Sequence, residues 1–132
     1  MNDTFTWPVR VYFEDTDAGG IVYHASYLHF LERARTEWLR NLGFNQSELQ
    51  KQKIIFVVRD MNLKWINPAC LDDELIVHVR IEKTKKASLI MEQLIMCGDT
   101  KKLSAQVTIA CLNSDTMKPA AIPANILNPM SA

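Results

Sequence analysis

The stretch from His24 to Leu42, HASYLHFLERARTEWLRNL, repeats its apolar residues with the period of an α-helix. At about 100° per residue, Tyr27, Leu28, Phe30, Leu31, Ala34, Trp38, Leu39 and Leu42 fall within half the helical wheel. His29, Glu32, Arg33, Thr36, Glu37 and Arg40 occupy the other half, and Gly43 follows as a stop. Such a helix is about 28 Å long. An apolar face this wide needs a sheet or several helices to cover it.

Outward from the helix the chain reads as strands. Thr6 to Phe13 is rich in Trp, Val and Tyr, with Pro8 placing it at a strand start or on an unpaired edge. Asn45 to Lys51 reads as a short helix, Asn45 as its cap and Glu48 at capping-box spacing. Ile54 to Val58 is a continuous apolar run, read as buried and as persisting through Met61, Leu63 and Trp65. Leu75, Val77, Val79 and Ile81 alternate with Ile76, His78, Arg80 and Glu82 as in a half-buried strand. Ser88 to Cys97 is a further run, Gly98-Asp99-Thr100 a turn, and Leu103 to Cys111 alternates again. The tail, with Pro119, Pro123 and Pro129, is too broken for a strand. Consecutive strands with hairpin-length connections make an antiparallel sheet, so the expected class is α+β, a sheet with the long helix on one face.

The 132 residues fit one domain over 1–132, with 48% hydrophobic and 23% charged residues as in ordinary globular proteins. Net charge is zero, so no whole-protein basic field draws the chain to nucleic acid. No window approaches a membrane span, and Met1 to Arg10 lacks the basic and apolar regions of a secretory signal. Cys70, Cys97 and Cys111 are odd in number and far apart, as expected of reduced cytoplasmic thiols; each reads as a small buried hydrophobe in or beside a strand.

Glu14-Asp15-Thr16-Asp17-Ala18-Gly19-Gly20, wedged between strand and helix, is the segment richest in chemistry. Three carboxylates in four residues repel one another, and the glycines permit positive φ or close approach to a ligand. The segment leads into a helix N-terminus with free N–H groups and the positive end of the dipole. A carboxylate beside such amides can attack a carbonyl and hold the resulting oxyanion. The same loop also reads as an acidic cap on the helix, and residue types alone leave both open. Asp15-x-Asp17 matches the carboxylate alternation of Mg²⁺ phosphotransferases, but the larger parallel sheet of those proteins is missing, so no metal or cofactor is expected.

Other residues carry two readings each. Arg35, inside the apolar half of the helix, either snorkels past the core edge or pairs with an acidic neighbour or a ligand phosphate. Lys83, Lys85, Lys86, Lys101 and Lys102 lie near two turns, as solvated residues or as a landing site for phosphates. His78 reads as a surface histidine and Leu89 to Met96 as core.

The run Val9 to Tyr27, VRVYFEDTDAGGIVYHASY, with Glu32-Arg33-Ala34-Arg35-Thr36-Glu37, resembles the 4-hydroxybenzoyl-CoA thioesterase group of hotdog-fold enzymes. Within it the similarity is to the YbgC type, bacterial acyl-CoA thioesterases encoded beside the Tol–Pal envelope system. It continues through Phe56-Val57-Val58-Arg59, Pro68-Ala69 and Leu71-Asp72-Asp73. The resemblance implies a hotdog fold, a five-stranded antiparallel sheet wrapped around a long central helix. It makes Asp17 the catalytic carboxylate, as nucleophile or general base. The His24 N–H becomes the donor that polarises the thioester carbonyl, and its side chain a further functional group. Gly19, Gly20, Val22 and Tyr23 become substrate-binding positions. It also implies a homodimer or homotetramer with active sites between subunits, acyl-CoA as substrate, and a cytoplasmic location that extends to the inner-membrane periphery. One position departs from the pattern: Phe13 stands where the type commonly has a second tyrosine, and a phenyl ring packs but donates no hydrogen bond.

The expected function is therefore hydrolysis of acyl-CoA to a free acid and CoA. A rival from the binding class makes the chain a partner of acyl carrier protein or an envelope complex, with incidental hydrolysis. A hotdog hydratase or dehydratase fits the Thr16-Asp17-x-x-Gly20 pattern less well.

Overall fold

The computed structural model describes residues 4–131; the ends of the expected 1–132 domain, Met1–Asp3 and Ala132, lie outside the described residues. The elements are β1 (Phe5–Arg10), a 3₁₀ turn (Phe13–Asp15), α1 (Ser26–Asn41), α2 (Gln46–Lys51), β2 (Ile54–Trp65), β3 (Glu74–Thr84), β4 (Ser88–Cys97), β5 (Thr100–Asn113) and α3 (Ala124–Ser131). The strands form one five-stranded antiparallel sheet in the order β1-β3-β4-β5-β2, and α1 packs on it against β1 and β3. This is the expected hotdog arrangement.

Periodicity explains the packing. From α1, Tyr27, Phe30, Leu31, Ala34 and Leu39 are buried; they meet the inward residues Leu75, Val77, Val79 and Ile81 of β3 and Leu89, Met91 and Ile95 of β4 in one hydrophobic cluster. Leu28, on the same half-wheel, is 39% exposed. Asn45 caps α2 through Oδ1, which accepts from the Glu48 N–H at 2.9 Å. On the outer face of the sheet Arg80 pairs with Glu92 and Gln106 Nε2 donates to the Glu82 carboxylate.

Several expectations shift. β1 ends at Arg10 rather than Phe13, because the chain then turns through the 3₁₀ segment, where Phe13 is 81% exposed. The helix begins at Ser26, leaving His24 in the preceding turn. The run Ile54 to Val57 is only half-buried and Val58 is exposed, since β2 is an edge strand with one side unpaired. Pro8 lies in the other edge strand, where its missing N–H costs no ladder bond. The tail forms α3, with the Pro123 carbonyl accepting from Ile126 and Leu127 N–H groups, and Ile126 enters the core. Cys70 is exposed rather than buried, because it sits in the loop after β2; Cys111 is buried in β5, where burial pushes its thiol pKa up.

Arg35 is bonded within the chain to an amide. Its Nη1 donates to Gln93 Oε1 at 3.0 Å, and the fully buried Gln93 donates from Nε2 to the Leu31 carbonyl at 3.1 Å. Burial lowers the guanidinium pKa, and Glu32 opposes that shift through its charge alone.

Tyr27 joins the core to the loop beyond β2. Its Oη accepts from the buried Ala69 N–H at 3.0 Å, and burial raises its pKa. Tyr27→Phe therefore strands a buried donor and is expected to cost roughly 1–2 kcal/mol in urea unfolding with an unchanged m-value. An unchanged midpoint would mean that the Ala69 N–H finds another acceptor.

Candidate active site

The loop between β1 and α1 gives its three carboxylates separate fates. Asp15 Oδ2 accepts from the Tyr12 N–H at 2.9 Å, and its carbonyl accepts from the Tyr23 N–H at 2.8 Å, so Asp15 folds the loop. Glu14 is exposed and makes no hydrogen bond or ion pair among the described residues. Asp17 opens a tight reversal: its N–H donates to the Ile21 carbonyl at 2.9 Å and its carbonyl accepts from the Gly20 N–H at 3.1 Å.

Each glycine has a distinct reason to be there. Gly20 holds φ at +80°, with nothing within 4 Å of the place a Cβ would take. Gly20→Ala thus meets only left-handed strain and is expected to lower stability by about 1–2 kcal/mol in a thermal melt. An unshifted melt would show that the turn relaxes to negative φ. Gly19 donates its N–H to Asp17 Oδ1 at 2.8 Å, and a Cβ there would stand 3.3 Å from that oxygen. The second carboxylate oxygen, Oδ2, has no partner among the described residues.

The reversal is braced from behind. The Val22 N–H donates to the Ala69 carbonyl at 2.8 Å, the Leu71 N–H to the Gly20 carbonyl at 3.3 Å, and Ile21 pairs with Cys70. The cap reading fails at the helix itself: Ala25, the N-cap, makes no side-chain bond, and the first turn of α1 holds no acidic residue. The His24 N–H, just ahead of that uncapped end, meets no acceptor among the described residues. The imidazole lies against the Tyr23 ring, with centroids 4.4 Å apart.

Asp17, Val22 and His24 line one open cleft of about 310 Å³, together with Ile21, Tyr27, Trp65, Ile66, Asn67 and Pro68. Gly19, Gly20 and Tyr23 do not line this cleft, and Val22, which does, is buried. The wall from Trp65 to Pro68 was missed by sequence reasoning; its one local signal is an apolar pair, Trp65-Ile66, running past the end of a strand into Asn-Pro. Asp17 and His24 are exposed, as are Ile21, Trp65 and Ile66 on the walls. A second cavity of about 540 Å³, lined by Arg35, Trp38, Leu39, Phe56 and Met91 among others, shares no residue with the first.

A carboxylate held by one oxygen and a residue with an unbonded N–H ahead of a helix start, lining one cleft, supply the kinds of group that carbonyl attack requires. Residues 11–130 match the model of the thioesterase-like superfamily. The chain is 47% identical over 129 residues to the acyl-CoA thioester hydrolase YbgC of Escherichia coli O6:H1, with 96% of each chain covered. It belongs to the YbgC family of thioesterases. The Haemophilus influenzae acyl-CoA thioesterase YbgC is 45% identical over 127 residues, with 96% of this chain and 93% of that protein covered. Among solved structures, a probable thioesterase from Bartonella henselae superposes with a TM-score of 0.87 at 40% identity, over 92% of this chain and 100% of that one. The fold alone is shared with a 1,4-dihydroxy-2-naphthoyl-CoA thioesterase from Synechocystis: the TM-score is 0.90 at 21% identity, over 98% of this chain and 96% of that one.

Proposed function

We propose that this thioesterase hydrolyses acyl-CoA, with water entering and a carboxylic acid and CoA leaving. The observation that carries the reading is that Asp17 and His24 line the same cleft and that the His24 N–H meets no acceptor among the described residues. The thioester oxygen docks on that N–H. Either Asp17 takes a proton from water as that water attacks the carbonyl carbon, the carbon–sulfur bond breaks as the tetrahedral centre collapses, and the thiolate takes that proton back; or Asp17 attacks directly, the thiolate leaves and takes a proton from solvent, and water then hydrolyses the acyl–Asp17 anhydride to the acid and the free carboxylate. A thiol with a pKa near 8.5 departs without a strong general acid, so one carboxylate and one donor suffice.

The cleft in a single chain is open, and apolar side chains around it face solvent. We infer a homodimer or homotetramer in which a second copy closes it; β2 offers a proline-free edge of 12 residues for that pairing. The proposed setting is the cytoplasm, reaching to the periphery of the inner membrane. No helix among the described residues is long and apolar enough to cross a membrane.

Thiol release from short, long and aromatic acyl-CoAs tests the reading, and turnover of at least one is the expected result. The exposure of Asp17 and His24 favours one second reading, binding to an acyl carrier protein whose own surface would close the cleft. Capture of acyl carrier protein alongside negligible turnover of every acyl-CoA would replace the first reading with the second.

A further inference from the structure

The Asp17 carboxylate and the His24 N–H sit on neighbouring segments, and one side chain ties those segments together from behind. Asp17 opens the reversal of residues 17–22, whereas His24 stands just ahead of α1. Among the described residues, every backbone hydrogen bond from that reversal to a distant segment goes to residues 69–71. The Val22 N–H donates to the Ala69 carbonyl at 2.8 Å, and the Leu71 N–H donates to the Gly20 carbonyl at 3.3 Å. Ile21 pairs with Cys70 between them.

A brace of this kind needs an anchor. Its bonds with Asp73 stay inside its own loop: the Cys70 N–H donates to Asp73 Oδ2 at 2.9 Å, and the Asp73 N–H donates to the Cys70 carbonyl at 3.1 Å. Among the described residues, the single hydrogen bond from 69–71 to a regular element of the fold runs from the Ala69 N–H to Tyr27 Oη, at 3.0 Å. Tyr27 is the second residue of α1, three residues after His24. Its side chain is buried, and its ring meets Phe30 edge-on with centroids 6.1 Å apart, which fixes the hydroxyl in place. A phenylalanine would fill the same space. What the hydroxyl adds is an acceptor, and burial raises its pKa and keeps it neutral.

We propose that Tyr27 is a positioning residue for the hydrolysis: through Ala69 and Val22, its hydroxyl sets where the Asp17 carboxylate stands relative to the His24 N–H. This rests on the thioesterase reading above and adds to it the residue that holds the attack geometry. The effect passes through the backbone of the brace and needs no contact between Tyr27 and substrate.

The test compares Tyr27→Phe with the parent on an acyl-CoA that the parent turns over, at a temperature where thermal melts show every variant folded. A misplacement of about 1 Å costs up to about 10²-fold in rate. Loss of one anchor should therefore lower kcat about tenfold and leave KM within about a factor of two. 4-Fluorophenylalanine at position 27, a phenol-sized ring with a far weaker acceptor, should show the same loss without a packing gap. 3-Fluorotyrosine there keeps the oxygen and should restore most of the rate. Gly43→Ala forces a side chain into φ +97° past the far end of α1. It lowers stability without touching the brace and should keep the parental kcat. The double variant Asp17→Asn with Tyr27→Phe decides between positioning and a separate role. Once the carboxylate is gone the hydroxyl has nothing to place, so the double variant should be as slow as Asp17→Asn alone. Losses that multiply would overturn the proposal, as would a parental kcat in Tyr27→Phe or an equal loss in Gly43→Ala. A parent that turns over no acyl-CoA removes the thioesterase reading and this role with it. Activity that falls in Asp17→Asn but not in Tyr27→Phe removes this role alone.

Discussion

Asp17→Asn should hydrolyse acyl-CoA roughly 10²–10⁴-fold more slowly than the parent, the range that a positioned acid–base group contributes. The expectation comes from what the substitution keeps. Asparagine retains an Oδ1 that can accept from the Gly19 N–H, now at 2.8 Å, so the reversal to Ile21 survives. An exposed, nearly isosteric change of this kind moves stability by at most about 0.5 kcal/mol. What disappears is the negative charge and the basic oxygen Oδ2. Thiol-release rates and a thermal melt, measured on the same preparation, decide the matter. A variant that melts with the parent and turns over at the parental rate removes Asp17 from the chemistry.

Asp15→Asn sharpens that test. Its carboxylate serves the Tyr12 N–H at 2.9 Å, a bond an amide oxygen also accepts, so rates should stay near the parent's. The oxyanion donor assigned to His24 belongs to the backbone, and a side-chain change such as His24→Ala leaves it in place. Any loss in that variant reports the imidazole and its contact with Tyr23.

The elements were legible where periodicity is undisturbed. Leu75, Val77, Val79 and Ile81 alternate because β3 lies mid-sheet with one face on α1, and the helical stripe of α1 is its complement. Legibility ended where the deciding partner is remote. Nothing near Ile54 says that β2 takes the edge position, which exposes Val58. Trp65 to Pro68 reach Asp17 only because β2 runs antiparallel to β5 and ends beside the loop before α1. Pro123 marks the start of α3, yet three prolines in the tail masked the pattern that brings Ile126 into the core. The acidic loop yielded its catalytic candidate, Asp17, from the resemblance; the division of labour with Asp15 needed coordinates.

Arg35 and Gln93 supply the largest expected effect on stability. Gln93 lies on β4, fully buried, between the guanidinium of Arg35 and the carbonyl of Leu31, and so ties helix to sheet through polar atoms inside the apolar layer. Every buried side-chain nitrogen and oxygen among the described residues has a partner, and this pair is part of the reason. Gln93→Leu fits the volume but leaves a desolvated guanidinium without its acceptor. Loss of a hydrogen bond to a charged group, with the charge left behind, is expected to cost about 2–4 kcal/mol. Replacing both residues, as Arg35→Met with Gln93→Leu, removes the charge along with the amide and should recover most of that loss. The physical point is the sign of the difference between the double variant and Gln93→Leu. If the bond itself supplied the stability, either single substitution would lose it and the double variant would be about as unstable as Gln93→Leu; if the cost is an abandoned charge, the double variant is more stable than Gln93→Leu alone. Urea unfolding of the four proteins in the cycle reads the sign directly. An additive result, or a Gln93→Leu variant as stable as the parent, would show that water already solvates Arg35 from the neighbouring cavity and that the polar tie between α1 and β4 contributes little.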